Sequence, residues 1–410
     1  MQDFINKQFF NFTIFTLIFG VVFYDTINII GFSYVDEICA AFLLLLFLYK
    51  VFKSRTWEFD KKFLFVIGVF AFYLIYSIVI SSNSIPAILT DFVIQAKPYL
   101  AFFCVYSLEP KFSDNQRKII RQVVMLCCIY VLLVGLIDFT PINIMDITFF
   151  HPSRLATTSS VLAMLYIYCS DYRKIDKIIF ILILSLGIMS GRSKHFGFFA
   201  ICSLSILYFN NSAQMKLNIK NSMFLIIALA LTIFVAREKI YFYFITGGFG
   251  EGRTVDDLYA RIALYFFSIF ILIDYIPFGS GFASFATYAS GAYYSATYEK
   301  YGMEHMHGLT KDAPDFVADT YYPALAQFGV IGVILFFTFW ISLFVKSAKS
   351  FPFCKKESLL ALIIIIFIQI ECIADATITH NRGMFMMMLL GLIFYDIRTK
   401  PTIITPEKES

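Results

Sequence analysis

The chain has 410 residues, of which 59% are hydrophobic and only 15% charged, with a net charge of +4. A soluble fold of this length must cover its outside with far more polar surface, so the composition excludes a water-soluble globular protein and indicates a polytopic membrane protein. The basic residues fall in short clusters between apolar runs, which is the pattern of membrane-loop bias and not of a nucleic-acid footprint.

A hydrocarbon core about 30 Å thick requires roughly 20 residues of apolar helix. Runs of that kind begin near Phe9, Ile38, Phe63, Phe92, Ile119 and Leu155, and again near Ile178, Phe196, Ser222, Tyr322, Ser358 and Gly383. The expected fold is therefore all-α, with about twelve transmembrane helices. The first run follows Met1-Gln2-Asp3, has Lys7 as its only basic residue and lacks a small-residue cleavage site, so it reads as a retained helix and not a signal peptide. The eight cysteines lie mostly inside apolar runs without CxxC or Cys/His metal spacing, and are expected to be small apolar residues with no disulfide framework.

Lys and Arg in short loops set orientation. With an inside N-terminus, 22 of the 33 basic residues fall in inside loops and ten outside, which supports cytoplasmic termini at both ends. Parity then constrains the interval 238–322. The span before it exits outward and the span after it must enter from outside, so the apolar stretch 262–276 cannot cross alone. It is expected as a short re-entrant or interfacial helix within one large external loop. The organisation is then helices 1–9 in residues 1–237, the loop at 238–322, helices 10–12 in 323–396, and a cytoplasmic tail at 397–410. A loop of that length is usually functional.

The external side should be depleted of arginine, yet Arg154, Arg192, Arg261 and Arg382 fall there. A guanidinium offers a fixed fork of donors suited to phosphate oxygens, and several converging on one pocket would hold a diphosphate. The alternative is that they snorkel to lipid headgroups. Lys97, in Gln95-Ala-Lys97-Pro98-Tyr99, either faces a partner deep in its span or is interfacial. Asp319 stands at the mouth of a span, as a general base or as a helix N-cap. Glu304 and His307 are further candidates on the loop, while His305 and His307 lack a third metal ligand at convincing spacing, so no metal or other cofactor is expected. Tyr293, Tyr294, Tyr321 and Tyr322 could stack on sugar rings or form an interfacial belt.

Three segments carry a resemblance. The first is Ser190-Gly191-Arg192-Ser193. The second is Arg261-Ile-Ala-Leu-Tyr265 followed by Asp274-Tyr-Ile-Pro277-Phe-Gly279-Ser-Gly281-Phe282. The third is Asp319-Thr-Tyr321 with Gln327-Phe-Gly329-Val-Ile-Gly332, and Arg154-Leu with its Thr/Ser run adds a weaker fourth. In order and placement they resemble the O-antigen polymerase and O-antigen ligase superfamily of bacterial membrane glycosyltransferases, over about a quarter of the chain. The ligase branch commonly carries a His-Asn pair where this sequence has Ala318 and Asp319, and the missing histidine favours the polymerase branch.

The resemblance implies a metal-independent transfer, on the periplasmic side of the bacterial inner membrane, of a growing glycan from polyprenyl diphosphate to a lipid-linked repeat unit. It implies Arg192 and Arg261 on the diphosphate, assisted by Arg154, Lys97 and Arg382. Asp319 is the first candidate for the base, with Glu304 or His307 behind it. The implied partners are a polyprenyl-diphosphate-linked oligosaccharide, the bilayer and a chain-length regulator, with no nucleic acid. An O-antigen ligase and a lipid-linked oligosaccharide flippase are the alternatives. Against transport, polar content concentrates in one external loop and not at the bilayer midplane.

Overall fold

The computed structural model describes residues 1–28, 34–54, 60–209 and 259–399, together with the single positions 223, 237 and 241. The expected span near Ser222, the beginning of the large loop and the tail from residue 400 lie outside the described residues. All described secondary structure is helical. In chain order the α-helices are α1 (Gln2–Phe15), continued by a π-helical turn Thr16–Val22, then α2 (Tyr24–Asn28), α3 (Val35–Lys53), α4 (Lys61–Val79), α5 (Ile85–Leu108) and α6 (Asp114–Ile137). These are followed by α7 (Ile144–Phe149), α8 (Pro152–Cys169), α9 (Lys174–Ser185) with a 3-10 continuation to Ser190, and α10 (Ser193–Tyr208). Beyond the second gap come α11 (Ala260–Asp274), α12 (Tyr288–Ala292), α13 (Ala296–Lys300), a 3-10 turn Pro323–Phe328, α14 (Gly329–Ser350), α15 (Lys355–Ala374) and α16 (Asn381–Thr399).

Six helices among the described residues are long and apolar enough to cross a membrane: Gln2–Val22, Lys61–Val79, Ile85–Leu108, Asp114–Ile137, Pro323–Ser350 and Lys355–Ala374. Helices also stand at α3, α8, α9, α10 and α16, where spans are expected, but each is shorter or more polar. The first turn of α3 holds Asp36 and Glu37, for example, and α8 is rich in Ser and Thr. The helix starts follow local chemistry. Asp60 caps α4 by accepting from the Lys62 amide at 2.7 Å, and Ser113 and Gln116 form a reciprocal capping box on α6. Pro152 opens α8 at the first position, where its missing amide costs nothing.

Burial is the reverse of a soluble protein. The outward faces of α4 and α6 expose Phe65, Ile75, Leu126 and Leu133. The centre is formed by α8 and α16, in which every residue from Leu155 to Cys169 and from Asn381 to Tyr395 is buried. Hydrocarbon gives apolar side chains no reason to leave the solvent, so close packing and hydrogen bonds must hold the helices together. The Thr/Ser run of α8 suits this, because small side chains permit close approach and return their hydroxyls to their own helix. Thr158 donates to the Arg154 carbonyl at 2.7 Å, and Ser160 to that of Ala156 at 3.0 Å.

The bundle has two chemically distinct ends. At the end holding the N-terminus, Gln2 donates to the Glu109 carbonyl at 2.9 Å, Lys50 pairs with Glu109 at 3.5 Å, and Lys356 donates to the Ser170 carbonyl at 2.6 Å. At the opposite end, here termed the far end, α8, α10 and α16 begin and α15 finishes. The two ends of α11 both lie at the far end. Arg261 in its first turn reaches the Ala374 carbonyl at 3.4 Å, and the turn after it meets α4, where the Tyr76 hydroxyl donates to the Gly279 carbonyl at 2.9 Å.

The described part of the loop is a folded unit. Phe285, Tyr298, Met303, Met306 and Leu309 pack on the buried face of α11 to form a second apolar core. It joins the bundle through a crossing of two glycines. A Cβ on Gly279 (φ +82°) would lie 2.2 Å from the Gly329 backbone nitrogen, and one on Gly329 would meet Gly279 in the same way. The crossing is fixed by the Gly281 amide donating to the Gln327 carbonyl at 2.8 Å, and Tyr73 of α4 donates to the Phe328 carbonyl at 2.7 Å.

Candidate anion site at the far end

Four helix termini and one loop converge here. Arg154 of α8 and Arg382 of α16 share one carboxylate, that of the fully buried Asp25, at 2.6 and 2.7 Å. Arg382 is itself 3% exposed and also donates to Thr158 at 2.7 Å, whereas Arg154 keeps about a third of its side chain in the open. Arg192, at the N-cap of α10, donates to Nε2 of His151 at 2.8 Å and, among the described residues, pairs with no carboxylate. Lys194, two residues on, is held by Glu371 at 2.7 Å and Asp375 at 3.2 Å. Arg261 pairs with Asp319 at 2.5 Å.

These pairs form a continuous chain. Arg261 touches the Ala374 carbonyl, the next residue Asp375 binds Lys194, and Ser153 Oγ lies 3.4 Å from Asp375 and 2.6 Å from Nδ1 of His151. An arginine can only donate, so its contact with His151 requires a free lone pair on Nε2. On its other side the ring caps α8, with Nδ1 facing the Ser153 backbone amide at 3.3 Å and the Ser153 hydroxyl at 2.6 Å.

The electrostatics mark where an anion is welcome. Burial holds the His151 imidazole below its usual value, and the charges of Arg192, Arg154 and Lys194 push it further down against the opposing charge of Asp375. Three cations and one acid, Asp375, thus act on the ring. Burial raises the Asp319 carboxyl above the usual carboxylate range, opposed by Arg261. Although burial opposes it, Lys194 together with His380 and His151 keeps the Asp375 carboxyl low. His380 is exposed and lies within electrostatic reach of Asp375.

The structure thus brings Arg154, Arg192, Arg261, Arg382 and Asp319 to one end of the bundle. Asp319 does not cap the helix that follows: the 3-10 turn Pro323–Phe328 has Tyr322 at its N-cap with no side-chain cap bond. Lys97 is in the interior, 3% exposed, paired with Asp36 and with Glu37 at 3.0 Å, so its charge is already met within the protein. Glu304 pairs with His305 at 3.2 Å, and His307 lies exposed against the Phe316 ring, neither in contact with Arg261 or Asp319. Tyr321 is buried with its hydroxyl donated to Gln95, Tyr322 donates to Gln369, and Tyr294 to the Leu309 carbonyl. Tyr293 is exposed on the loop. His151, Lys194, Glu371, Asp375 and Asp25 were not singled out from the sequence. The signal available was that each is a charged or imidazole group at the edge of an apolar run. Among the described residues no group of three or more His, Cys, Asp or Glu is arranged to hold a metal ion.

Comparison with protein-family models and with curated proteins finds no match to this chain.

Proposed function

We propose that the protein is a surface-polysaccharide polymerase of the O-antigen type, with twelve spans, cytoplasmic termini and its large loop on the periplasmic side of the inner membrane. The observation that carries the proposal is the contact of Arg192 with His151, beside the partly exposed Arg154. Arg192 brings a guanidinium without a carboxylate partner among the described residues, and Arg154 shares its only one with Arg382. A diphosphate supplies the negative charge this arrangement lacks, and preorganised donors stabilise it as a leaving group.

In the proposed reaction the acceptor hydroxyl oxygen attacks the anomeric carbon of the growing glycan. The bond from that carbon to the diphosphate oxygen breaks, and polyprenyl diphosphate leaves against Arg192 and Arg154. The hydroxyl proton passes to the Asp319 carboxylate, which Arg261 orients. Lys97 and Arg382, both buried in ion pairs, support the site from behind and do not touch the substrate.

A ligase is the second reading, because His151 supplies a histidine beside the arginines even though Ala318 stands where that branch has one. A gel profile of surface polysaccharide from cells lacking the chain, with and without a plasmid copy, tests both. Loss of the ladder with single repeat units still attached to their acceptor supports the polymerase. Loss of all attached units with polymer accumulating on the carrier lipid indicates the ligase. Loss of polymer and single units together indicates a flippase, and an unchanged profile rejects the proposal.

A further inference from the structure

A second feature lies at the other end of the bundle and has no part in the reaction above. Beside α4 opens a cavity of about 620 Å³, walled by Phe65 and Phe70 of α4, Phe102 and Phe103 of α5, and Phe336 and Phe339 of α14. Its volume is within the range of about 300–1,000 Å³ typical of ligand sites. Along α4 it runs from Lys61 to Tyr73, about 18 Å of helix. The inner end is closed by Gln95 and Tyr321, and the rim at the N-terminal end of the bundle carries Lys61, Lys62 and Lys346. A shallower groove of about 520 Å³ lies along α14, past Ile341, Val345 and Lys349, and shares Thr338, Ser342 and Lys346 with the first. Two apolar troughs therefore meet at one ammonium group.

Among the described residues lining the rim, three lysines stand against one acid, Asp60. Asp60 accepts the cap amides of α4 and also acts on Lys346, as do Lys62 and the Glu109-paired Arg398, so cations outnumber acids around Lys346. Alkyl chains suit the troughs, because an unfilled apolar space forfeits the contacts of its walls. Basic pockets between spanning helices at one leaflet are matched to anionic headgroups.

We propose that this cavity binds a two-chained anionic phospholipid of the surrounding bilayer. Its phosphate sits among Lys61, Lys62 and Lys346, and its chains lie in the two troughs on either side of Lys346. The substrate's polyprenyl chain is a poor occupant, since its diphosphate belongs at the far end and the charged rim is at the other. Tyr73 lines the cavity and holds the Phe328 carbonyl beside the glycine crossing. The bound lipid thus braces the helix against which the loop is seated.

The test uses the purified full-length chain, stripped of lipid and offered phosphatidylglycerol, phosphatidylcholine of the same acyl chains, or polyprenyl phosphate, with retained lipid counted by native mass spectrometry. The proposal expects phosphatidylglycerol to be retained about tenfold over phosphatidylcholine. The Lys61→Gln, Lys62→Gln, Lys346→Gln triple variant should lose that preference while phosphatidylcholine retention stays unchanged. Val69→Trp, which fills the cavity, should lower retention of both. Equal retention of the two phospholipids by the unaltered chain overturns the proposal, as does preferential retention of polyprenyl phosphate that Val69→Trp abolishes and the lysine changes leave intact. Should the triple variant not fold, Lys346→Gln alone carries the same comparison. None of these readouts involves polymer synthesis, so the result stands apart from the proposed activity.

Discussion

Arg261 and Asp319, 58 residues apart in sequence, meet as an ion pair at 2.5 Å between the first turn of α11 and the end of the loop. The pair is partly exposed, at 20% and 35% of the two side chains, so its worth as a surface bridge is small and its position is of more consequence than its strength. With normal expression of the variant, Arg261→Ala is expected to reduce polymer synthesis by about 100-fold or more, the cost of losing the group that orients the base. Asp319→Asn is expected to lose activity and keep binding of the lipid substrate. Near-normal chain length with Arg261→Ala removes that residue from the site, and full activity with Asp319→Asn removes the base.

Arg192 should behave as a phosphate ligand in a way that a lipid-snorkelling residue would not. A charge-assisted hydrogen bond is worth about 1.5–3 kcal/mol, so Arg192→Ala should weaken binding of polyprenyl diphosphate at least tenfold in a direct titration. Arg192→Lys should recover only part of it, because a point charge cannot reproduce the fork. Unchanged affinity in the alanine variant would return Arg192 to the headgroups.

The low imidazole value of His151 has a definite sign. The neutral ring is favoured in the folded protein, so this group's contribution to stability is full above the ordinary imidazole value and is lost as pH falls below it. Protonation would also remove the lone pair that Arg192 uses. Thermal stability should therefore decline on the acid side, and His151→Gln should flatten that limb. An identical pH profile in the variant would show that other groups produce it.

The glycine crossing predicts a structural defect without any change of charge. Gly279→Ala places a methyl against the Gly329 amide at a positive φ, which should cost roughly 1–3 kcal/mol and open the loop to protease. Gly68→Ala, at a helix position with nothing within 4 Å of the added methyl, is the matched control and should leave protease resistance unchanged. Equal cleavage of the two variants would show that the crossing does not hold the loop.

Lys97 was read from the sequence as a group with either a buried partner or an interfacial position, and its two carboxylates in α3 decide for the partner. Lys97→Met leaves Asp36 and Glu37 without their cation, and breaking such a buried pair typically costs about 3–5 kcal/mol. Folded yield should fall sharply on size-exclusion chromatography, and Lys97→Met with Asp36→Asn should recover part of it. Wild-type yield from Lys97→Met would show the pair to be dispensable.

The amino-acid sequence by itself determined the all-helical character and the places where helices run, because a 20-residue apolar stretch has no alternative to a helix in hydrocarbon. It also made Arg192, Arg261 and Arg154 conspicuous, since cations on the wrong side of a charge bias need a local reason. It could not tell Asp319 as a cap from Asp319 as a partner, because that depends on whether α11 returns to the same end of the bundle. Nor could it separate the charges committed to internal pairs, those of Lys97, Lys194 and Arg382, from that of Arg192, which meets no carboxylate among the described residues. Pairing is a matter of a few ångströms between residues as distant as Arg382 and Asp25, and only the packing of helices around α8 and α16 fixes distances of that kind.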